Sequence, residues 1–137
     1  MPHFRAALAV DPAFGKAYAG LGRVLAQQGL LEQASSALEK AWRLGERDYD
    51  VLNNSGVVFY KLGNLPRAKE RLTEAVQSNP ERPEAYNTLG LVVSAQGDRE
   101  AAIRMFLRAL EIKQDYGAAL RNLERERTKV VSPPPPA

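Results

Sequence analysis

The chain has 137 residues, of which 45% are hydrophobic and 26% charged, so it is too apolar for a disordered segment and large enough for one folded unit. It contains no cysteine, which excludes disulfides and thiolate metal sites, and its formal net charge is only +3. No apolar run approaches the roughly 18 residues of a membrane span. Residues 1–9 lack a signal-peptide profile, so we favour a cytoplasmic location.

The first predicted element is a helix over residues 3–12. Phe4, Ala7 and Leu8 lie three or four positions apart, which places them on one helical face. One side of this helix should pack on the next helix, expected over residues 15–28, and the other should stay exposed. Since an exposed apolar patch is usually an interface, we expect Phe4, Ala7 and Leu8 to mediate self-association as a homodimer. Alternatively, the chain was cut from a longer array.

The chain then repeats every 34 residues. Glycines and small and bulky apolar residues all keep this period. The series are Gly22, Gly56 and Gly90; Gly29, Gly63 and Gly97; Ala34, Ala68 and Ala102; Ala41, Ala75 and Ala109; and Leu38, Leu72 and Phe106. A fixed period of this size is typical of stacked supersecondary units. We expect three repeats, over residues 15–48, 49–82 and 83–116, with residues 3–12 as a preceding half repeat.

Each repeat is predicted to contain two helices. In the third repeat two sets of apolar or small residues follow helical spacing: Tyr86, Leu89, Gly90 and Val93, and then Ala102, Phe106, Ala109 and Leu110. The glycine of the first set should lie where the paired helices approach closely. The pattern therefore predicts an all-α fold, an α-solenoid of antiparallel helix pairs.

The turns within the repeats follow one pattern with one exception. Gly63-Asn64 and Gly97-Asp98 each combine a helix stop with a side-chain N-cap. Gly29 is followed by Leu30, which has no capping side chain. We therefore expect the turn at Gly29 to be the loosest of the three.

Residues 116–131 are predicted to form a capping helix that ends a domain covering residues 1–131. Leu120 and Leu123 match the apolar positions of each first helix, whereas Glu124 replaces the glycine and charged residues follow it. An apolar inner side and a charged outer side would seal the last repeat. The proline-rich residues 132–137 should form an extended tail or linker.

This pattern resembles the tetratricopeptide repeat family, whose repeat is a 34-residue helix-turn-helix. The matching residues are Tyr18, Leu52 and Tyr86 at the fourth position, Leu21-Gly22 and Leu89-Gly90 at the Leu-Gly pair, and Pro12 and Pro80 at the proline. Departures from the family pattern are Ser55 for leucine, Leu25 and Val93 for an aromatic residue, and Glu46 and Gln114 for proline. The resemblance covers nearly the whole chain and implies a scaffold that binds a protein or peptide.

The resemblance also implies a site, because in this family the first helices line a concave peptide-binding groove. The implied groove residues are Lys16, Arg23, Asn53, Asn54, Val57, Tyr60, Asn87, Leu91 and Asn122. The four asparagines would form a row suited to an extended peptide backbone, since an amide both donates and accepts hydrogen bonds. Val57, Tyr60 and Leu91 would form an apolar floor. The alternative is that these asparagines are merely solvated.

One ligand class of the family is disfavoured. Co-chaperone members clamp C-terminal carboxylates with lysine, asparagine and arginine side chains at fixed positions. The matching positions here hold Ala19, Arg23, Asn54, Glu84 and Thr88. Only Asn54 fits outright, and Glu84 would repel a carboxylate. We therefore do not expect a C-terminal carboxylate ligand.

Catalytic chemistry is not indicated. The single histidine, His3, has no cysteine or acidic neighbour, and Gly20-Leu21-Gly22 lacks the preceding strand of a nucleotide-binding loop. We expect neither enzyme activity nor a metal or cofactor. Nucleic-acid binding is disfavoured because no repeat has a strong basic excess. Two alternatives to a binding scaffold stay open: a self-assembling structural unit, and the repeat region of a larger enzyme such as a glycosyltransferase.

Overall fold

The structure is a computed structural model and describes residues 12–129. Within this range the chain forms seven α-helices and no β-strand. They are α1 (Pro12–Gln27), α2 (Leu31–Arg43), α3 (Tyr49–Lys61), α4 (Leu65–Ser78), α5 (Glu84–Ala95), α6 (Arg99–Ile112) and α7 (Gly117–Thr128). The helix expected over residues 3–12, with Phe4, Ala7 and Leu8, lies outside the described residues, as does the tail over 132–137.

The helices form two layers. Each helix packs against the next one in the chain, and the odd-numbered helices also contact one another in series, α1 with α3, α3 with α5 and α5 with α7. Among the described residues the even-numbered helices make no such close contact with each other. The odd-numbered helices therefore form a tighter inner layer on the concave side of a curved array. The predicted all-α solenoid is confirmed.

The helices of each pair approach closely at a glycine. A Cβ atom built on Gly22 would lie 2.6 Å from Cγ of Leu38 on the paired helix. The same atom on Gly56 would overlap Leu72, and on Gly90 it would overlap Phe106. The predicted close approach at this position of the repeat is confirmed in all three pairs.

The turns between paired helices share one backbone geometry. Gly29, Gly63 and Gly97 have φ angles of 78°, 80° and 90°, a left-handed conformation that glycine adopts without steric cost. As predicted, the side chains of Asn64 and Asp98 cap the following helices, and Leu30 provides no such cap. The Gly29 turn nevertheless has the same backbone geometry, and the expectation that it is looser stays a prediction. Its backbone hydrogen bonds repeat those of the other two turns, because the left-handed glycine sets the turn and the capping side chain does not.

The capping helix differs from its prediction. Leu120, expected on the inner side, is 47% exposed, whereas Glu126, expected outside, is only 4% exposed. Leu123 is buried as predicted.

Of the described helices, none combines the length and the apolar character needed to cross a membrane.

Candidate functional site

The inner layer contains a cavity between α3, α5 and α7. Its volume is about 220 Å³, and three predicted groove residues from three different helices line it: Tyr60, Leu91 and Asn122. Its remaining lining residues are Ser94, Ala95, Phe106, Arg125, Glu126 and Lys129. The solenoid thus gathers residues that lie more than 60 positions apart in the sequence into one concave surface, which we call the inner groove.

The floor of the inner groove is apolar. Tyr60 and Leu91 are half-buried and pack against the central core, and Phe106 closes the cavity from the outer layer. Val57, also predicted for the floor, is half-buried on α3 but does not line the cavity. A floor of this kind can accommodate an apolar side chain of a ligand.

The predicted row of asparagines is not a row of four free amides. Asn87 is 7% exposed, and its Oδ1 accepts a hydrogen bond of 2.9 Å from Nδ2 of Asn122. Asn53 and Asn54 lie half-buried on α3. Oδ1 of Asn53 is buried and has no hydrogen-bond partner in the described part of the chain. The amides of α3 therefore have unused hydrogen-bonding capacity, whereas those of α5 and α7 bind each other.

Asn87 is also engaged by a residue before α7. Burial raises the pKa of the Tyr116 hydroxyl, and the negative charge of Glu84 acts in the same direction, whereas a hydrogen bond with Asn87 opposes them. Asn87 thus lies between Tyr116 and Asn122, where it joins α5 to the capping helix. Its predicted role as a ligand contact stays a prediction.

A buried carboxylate closes the end of the inner groove. Oε2 of Glu126 lies 2.7 Å from Nζ of Lys129 and accepts a hydrogen bond of 2.8 Å from Oγ of Ser94. Burial alone would raise the pKa of Glu126, but these two contacts and the nearby charge of Arg99 outweigh it and lower the pKa below 4.5. Glu126 is therefore ionised at neutral pH, and its charge is compensated inside the groove.

The rim has one cation that lacks this compensation. Arg125 lines the cavity, is exposed, and forms no ion pair with any residue that the structure describes. Lys16 and Arg23 are exposed on α1 and do not line this cavity. The two basic residues predicted for the groove therefore lie away from this cavity.

The acidic residues of α3 and α5 are also paired. Arg82 contacts Oδ1 of Asp50 at 3.0 Å and one carboxylate oxygen of Glu84 at 3.6 Å. The hydroxyl of Tyr49 donates to the same Glu84 oxygen at 3.2 Å and accepts a hydrogen bond of 2.9 Å from the backbone N–H of Ala85. These contacts join neighbouring repeats at the N-terminus of α5.

Sequence reasoning missed the buried charges. Glu126 was assigned to a solvated face, although its spacing of three residues from Lys129 is a signal for a helical ion pair. Arg71, 1% exposed, was not singled out at all. It stacks on Trp42, which is half-buried. Within residues 12–129, no three His, Cys, Asp or Glu side chains converge as a metal site would require.

Comparison with known proteins gives a consistent result. Two sequence profiles of the tetratricopeptide repeat match the chain, one over residues 47–115 and the other over residues 2–50. The chain is 33% identical over 92 residues to human tetratricopeptide repeat protein 7A, covering 67% of this chain and 11% of that protein. It is 31% identical over 113 residues to the type IV pilus assembly protein PilF of Pseudomonas aeruginosa. This match covers 81% of this chain and 45% of that protein. The chain thus spans less than half the length of either relative.

Solved structures match the fold over most of the chain. The tetratricopeptide repeat domain of Arabidopsis OM64 superposes with a TM-score of 0.81 at 17% identity, covering 87% of this chain and 98% of that one. The first tetratricopeptide repeat domain of Spaghetti (RPAP3), bound to an HSP90 peptide, superposes with a TM-score of 0.79 at 20% identity. The match covers 86% of this chain and 94% of that one. At these identities the likeness concerns the fold alone.

Proposed function

Because the chain belongs to the tetratricopeptide repeat family, we propose that it is a protein-interaction scaffold whose inner groove binds an extended segment of a partner protein. The observation that carries this proposal is the concave cavity between α3, α5 and α7, where an apolar floor meets polar side chains. Convergence of a few polar groups over an apolar surface is the usual composition of a ligand site.

The polar groups suit a peptide backbone. Asn54 and Asn53, whose Oδ1 has no hydrogen-bond partner among the described residues, lie on α3, the helix that also supplies Tyr60 to the floor. The half-buried Asn54 amide forms no side-chain hydrogen bond with the described residues, so it can donate to and accept from the backbone of a bound segment. The floor of Tyr60 and Leu91 would take an apolar side chain of the same segment.

The ligand would differ from those named for two similar structures. The two RPAP3 domains are described with the peptides SRMEEVD and SGPTIEEVD, which end in acidic residues. In this chain Glu84 lies at a position where a carboxylate-binding member has a cation, and Ala19 lies at another. We therefore propose an internal segment of the partner as the ligand, and no C-terminal carboxylate.

The test compares the two layers. Ala95→Arg introduces a large side chain at an exposed lining position of the inner groove, and Gln77→Arg introduces the same side chain at an exposed position of α4 in the outer layer. We expect Ala95→Arg to weaken binding of an affinity-captured partner at least about tenfold, the effect of disturbing a central contact. Gln77→Arg should bind like the wild type. Equal binding by both variants would show that the inner groove is not the site.

One relative supports a second possibility. The chain is 31% identical over 100 residues to human protein O-mannosyl-transferase TMTC2, and this region is 12% of that protein. The chain would then be the repeat region of a larger enzyme, and its groove would bind a protein substrate. An immunoblot of the native organism distinguishes the two, because a larger enzyme would migrate far above the 15.1 kDa of this chain.

A further inference from the structure

A second groove lies on the convex side, between α4 and α6. Its volume is about 430 Å³, within the range of about 300–1,000 Å³ found for ligand pockets. Helix α5 forms its floor with Tyr86, Leu89 and Val93. Its walls are Lys69, Thr73 and Val76 of α4, the N-cap residue Asp98, and Ala101, Arg104 and Met105 of α6. It shares no lining residue with the inner groove, and we call it the outer groove.

The preceding repeat shows what fills the equivalent place. Between α2 and α4, 34 residues earlier, Trp42 takes the position of Val76, and Arg71 takes that of Met105. The guanidinium carbon of Arg71 lies 3.7 Å from the centroid of the Trp42 ring, and its Nη2 donates to Glu39 at 2.8 Å. Arg71 is 1% exposed. An indole and its ionic partners thus fill the earlier groove from within the chain.

At two wall positions the side chains of the outer groove are shorter than their counterparts in the preceding repeat. Val76 stands where the earlier groove has Trp42, and Ala101 stands where it has Arg67. Both grooves lie between equivalent helices of the same solenoid, so the backbone can accommodate an indole at this position. In the outer groove the chain does not supply one.

We propose that the outer groove binds a segment of a partner protein that inserts a tryptophan side chain between α4 and α6, with acidic residues beside it. The thioether of Met105 offers a favourable contact to an aromatic ring. Lys69 and Arg104 lie on the walls, and neither forms an ion pair within residues 12–129. The carboxylate of Asp98 is already engaged by the backbone N–H of Ala101. The walls therefore carry two cations against one carboxylate, which leaves a net positive charge toward a ligand.

The first test uses synthetic peptides with the wild-type protein. The probe is the blocked pentapeptide Asp-Glu-Trp-Asp-Glu, and its controls replace the tryptophan with alanine or the acidic residues with serine. When the probe is added, NMR should show chemical-shift changes in the methyl groups of Val76, Val93 and Met105. The alanine peptide should bind at least about tenfold more weakly, as expected for loss of a central aromatic anchor. Equal affinity of the probe and the alanine peptide would overturn the proposal.

Protein variants then locate the site. Val76→Trp restores the residue of the preceding repeat and should reduce probe affinity at least about tenfold by filling the groove. Arg104→Glu should weaken binding of the acidic probe and leave the affinity for the serine peptide unchanged. Arg23→Glu makes the same charge change on α1, which does not contact α4 or α6, and should have little effect. If Val76→Trp does not fold, the peptide comparison with the wild type still decides.

Two other outcomes would contradict the proposal. Methyl shift changes at Leu91 and Ala95 would place the probe in the inner groove. Methyl shifts that depend on protein concentration without peptide would identify a second copy of the chain as the occupant. Ala95→Arg separates the two proposed sites, because it should weaken binding in the inner groove and leave probe binding in the outer groove intact.

Discussion

At the scale of single residues, side-chain size determines how closely two helices pack. The glycine at the middle of α1, α3 and α5 leaves room for one large side chain of the paired helix, Leu38, Leu72 or Phe106. These three side chains are almost completely buried. Gly20 lies on α1 as well, but a Cβ atom there would meet nothing within 4 Å. A glycine in a helix is therefore required at one position and dispensable at another.

We predict that Gly90→Leu destabilises the fold by about 1–3 kcal/mol, because the new side chain must displace Phe106 from a packed core. Gly20→Ala is the matched control and should stabilise the fold by roughly 0.5–1 kcal/mol, since alanine has the higher helix propensity and no clash arises. Urea unfolding followed by circular dichroism measures both. Wild-type stability in Gly90→Leu would contradict the close approach.

A second prediction concerns the hydroxyl of Tyr49. Burial raises its pKa from 10.0 to about 12, with Glu84 acting in the same direction against a hydrogen bond from Ala85. The folded state thus holds this proton more tightly than the unfolded state. The resulting stabilisation is fully present below pH 10.0 and is lost as the pH rises towards about 12.

Unfolding free energies measured across this interval test the prediction. The wild type should lose stability more steeply with pH than Tyr49→Phe, which carries no ionisable hydroxyl. Identical slopes for the two proteins would show that the hydroxyl titrates alike in the folded and unfolded states.

At the scale of helices and turns, two separate features define each helix pair. The left-handed glycine directs the chain back, and the residue after it caps the next helix. Asn64 and Asp98 accept hydrogen bonds from the backbone N–H groups of Arg67 and Ala101. Leu30 has nearly the same backbone angles as Asn64 but cannot accept such a bond. The first turn has the right geometry and lacks only the cap.

We therefore predict that Leu30→Asn stabilises the protein. The new amide should cap α2 and contribute about 1 kcal/mol, and little apolar contact is lost because Leu30 is 42% exposed. Asn64→Ala, which removes an existing cap, should cost a similar amount. Thermal melts of both variants check the prediction. Destabilisation by Leu30→Asn would show that Leu30 contributes more as an apolar contact than as a cap site.

At the scale of the molecule, the two layers create two different surfaces. The inner layer is tight and presents the inner groove, whereas the outer helices lie further apart and leave room for the outer groove.

The ends of the described array are also apolar. Phe14, Leu21 and Val24 of α1 are 38%, 48% and 42% exposed, and Leu120 of α7 is 47% exposed. Such surfaces are typical of interfaces between proteins or copies.

The homodimer expected through Phe4, Ala7 and Leu8 stays a prediction. Sedimentation over a concentration series should show a wild-type dimer that becomes monomeric in Phe4→Asp, because a charge on the apolar face opposes its burial. Leu120→Asp places the same charge at the opposite end and should leave the dimer intact. A monomeric wild type at high concentration would exclude the dimer, and a dimer that persists in Phe4→Asp would place the interface elsewhere.

The sequence alone determined the helix pairs, the close approach at Gly22, Gly56 and Gly90, and the caps at Asn64 and Asp98. It also identified three residues of the inner groove, Tyr60, Leu91 and Asn122, through the resemblance to the family. These features depend on residues close in sequence or on a position that every repeat shares. Periodicity therefore reveals them without knowledge of the packing.

Only the tertiary structure decided the features that distinguish one repeat from another. It showed that Glu126 is buried beside Ser94 and that Asn87 and Asn122 bind each other. It also showed that the place filled by Trp42 is left open at Val76. Each of these contacts joins residues from different repeats, about one period apart. Whether such a contact forms depends on the size and charge of both side chains. A pattern shared by all repeats does not contain this information.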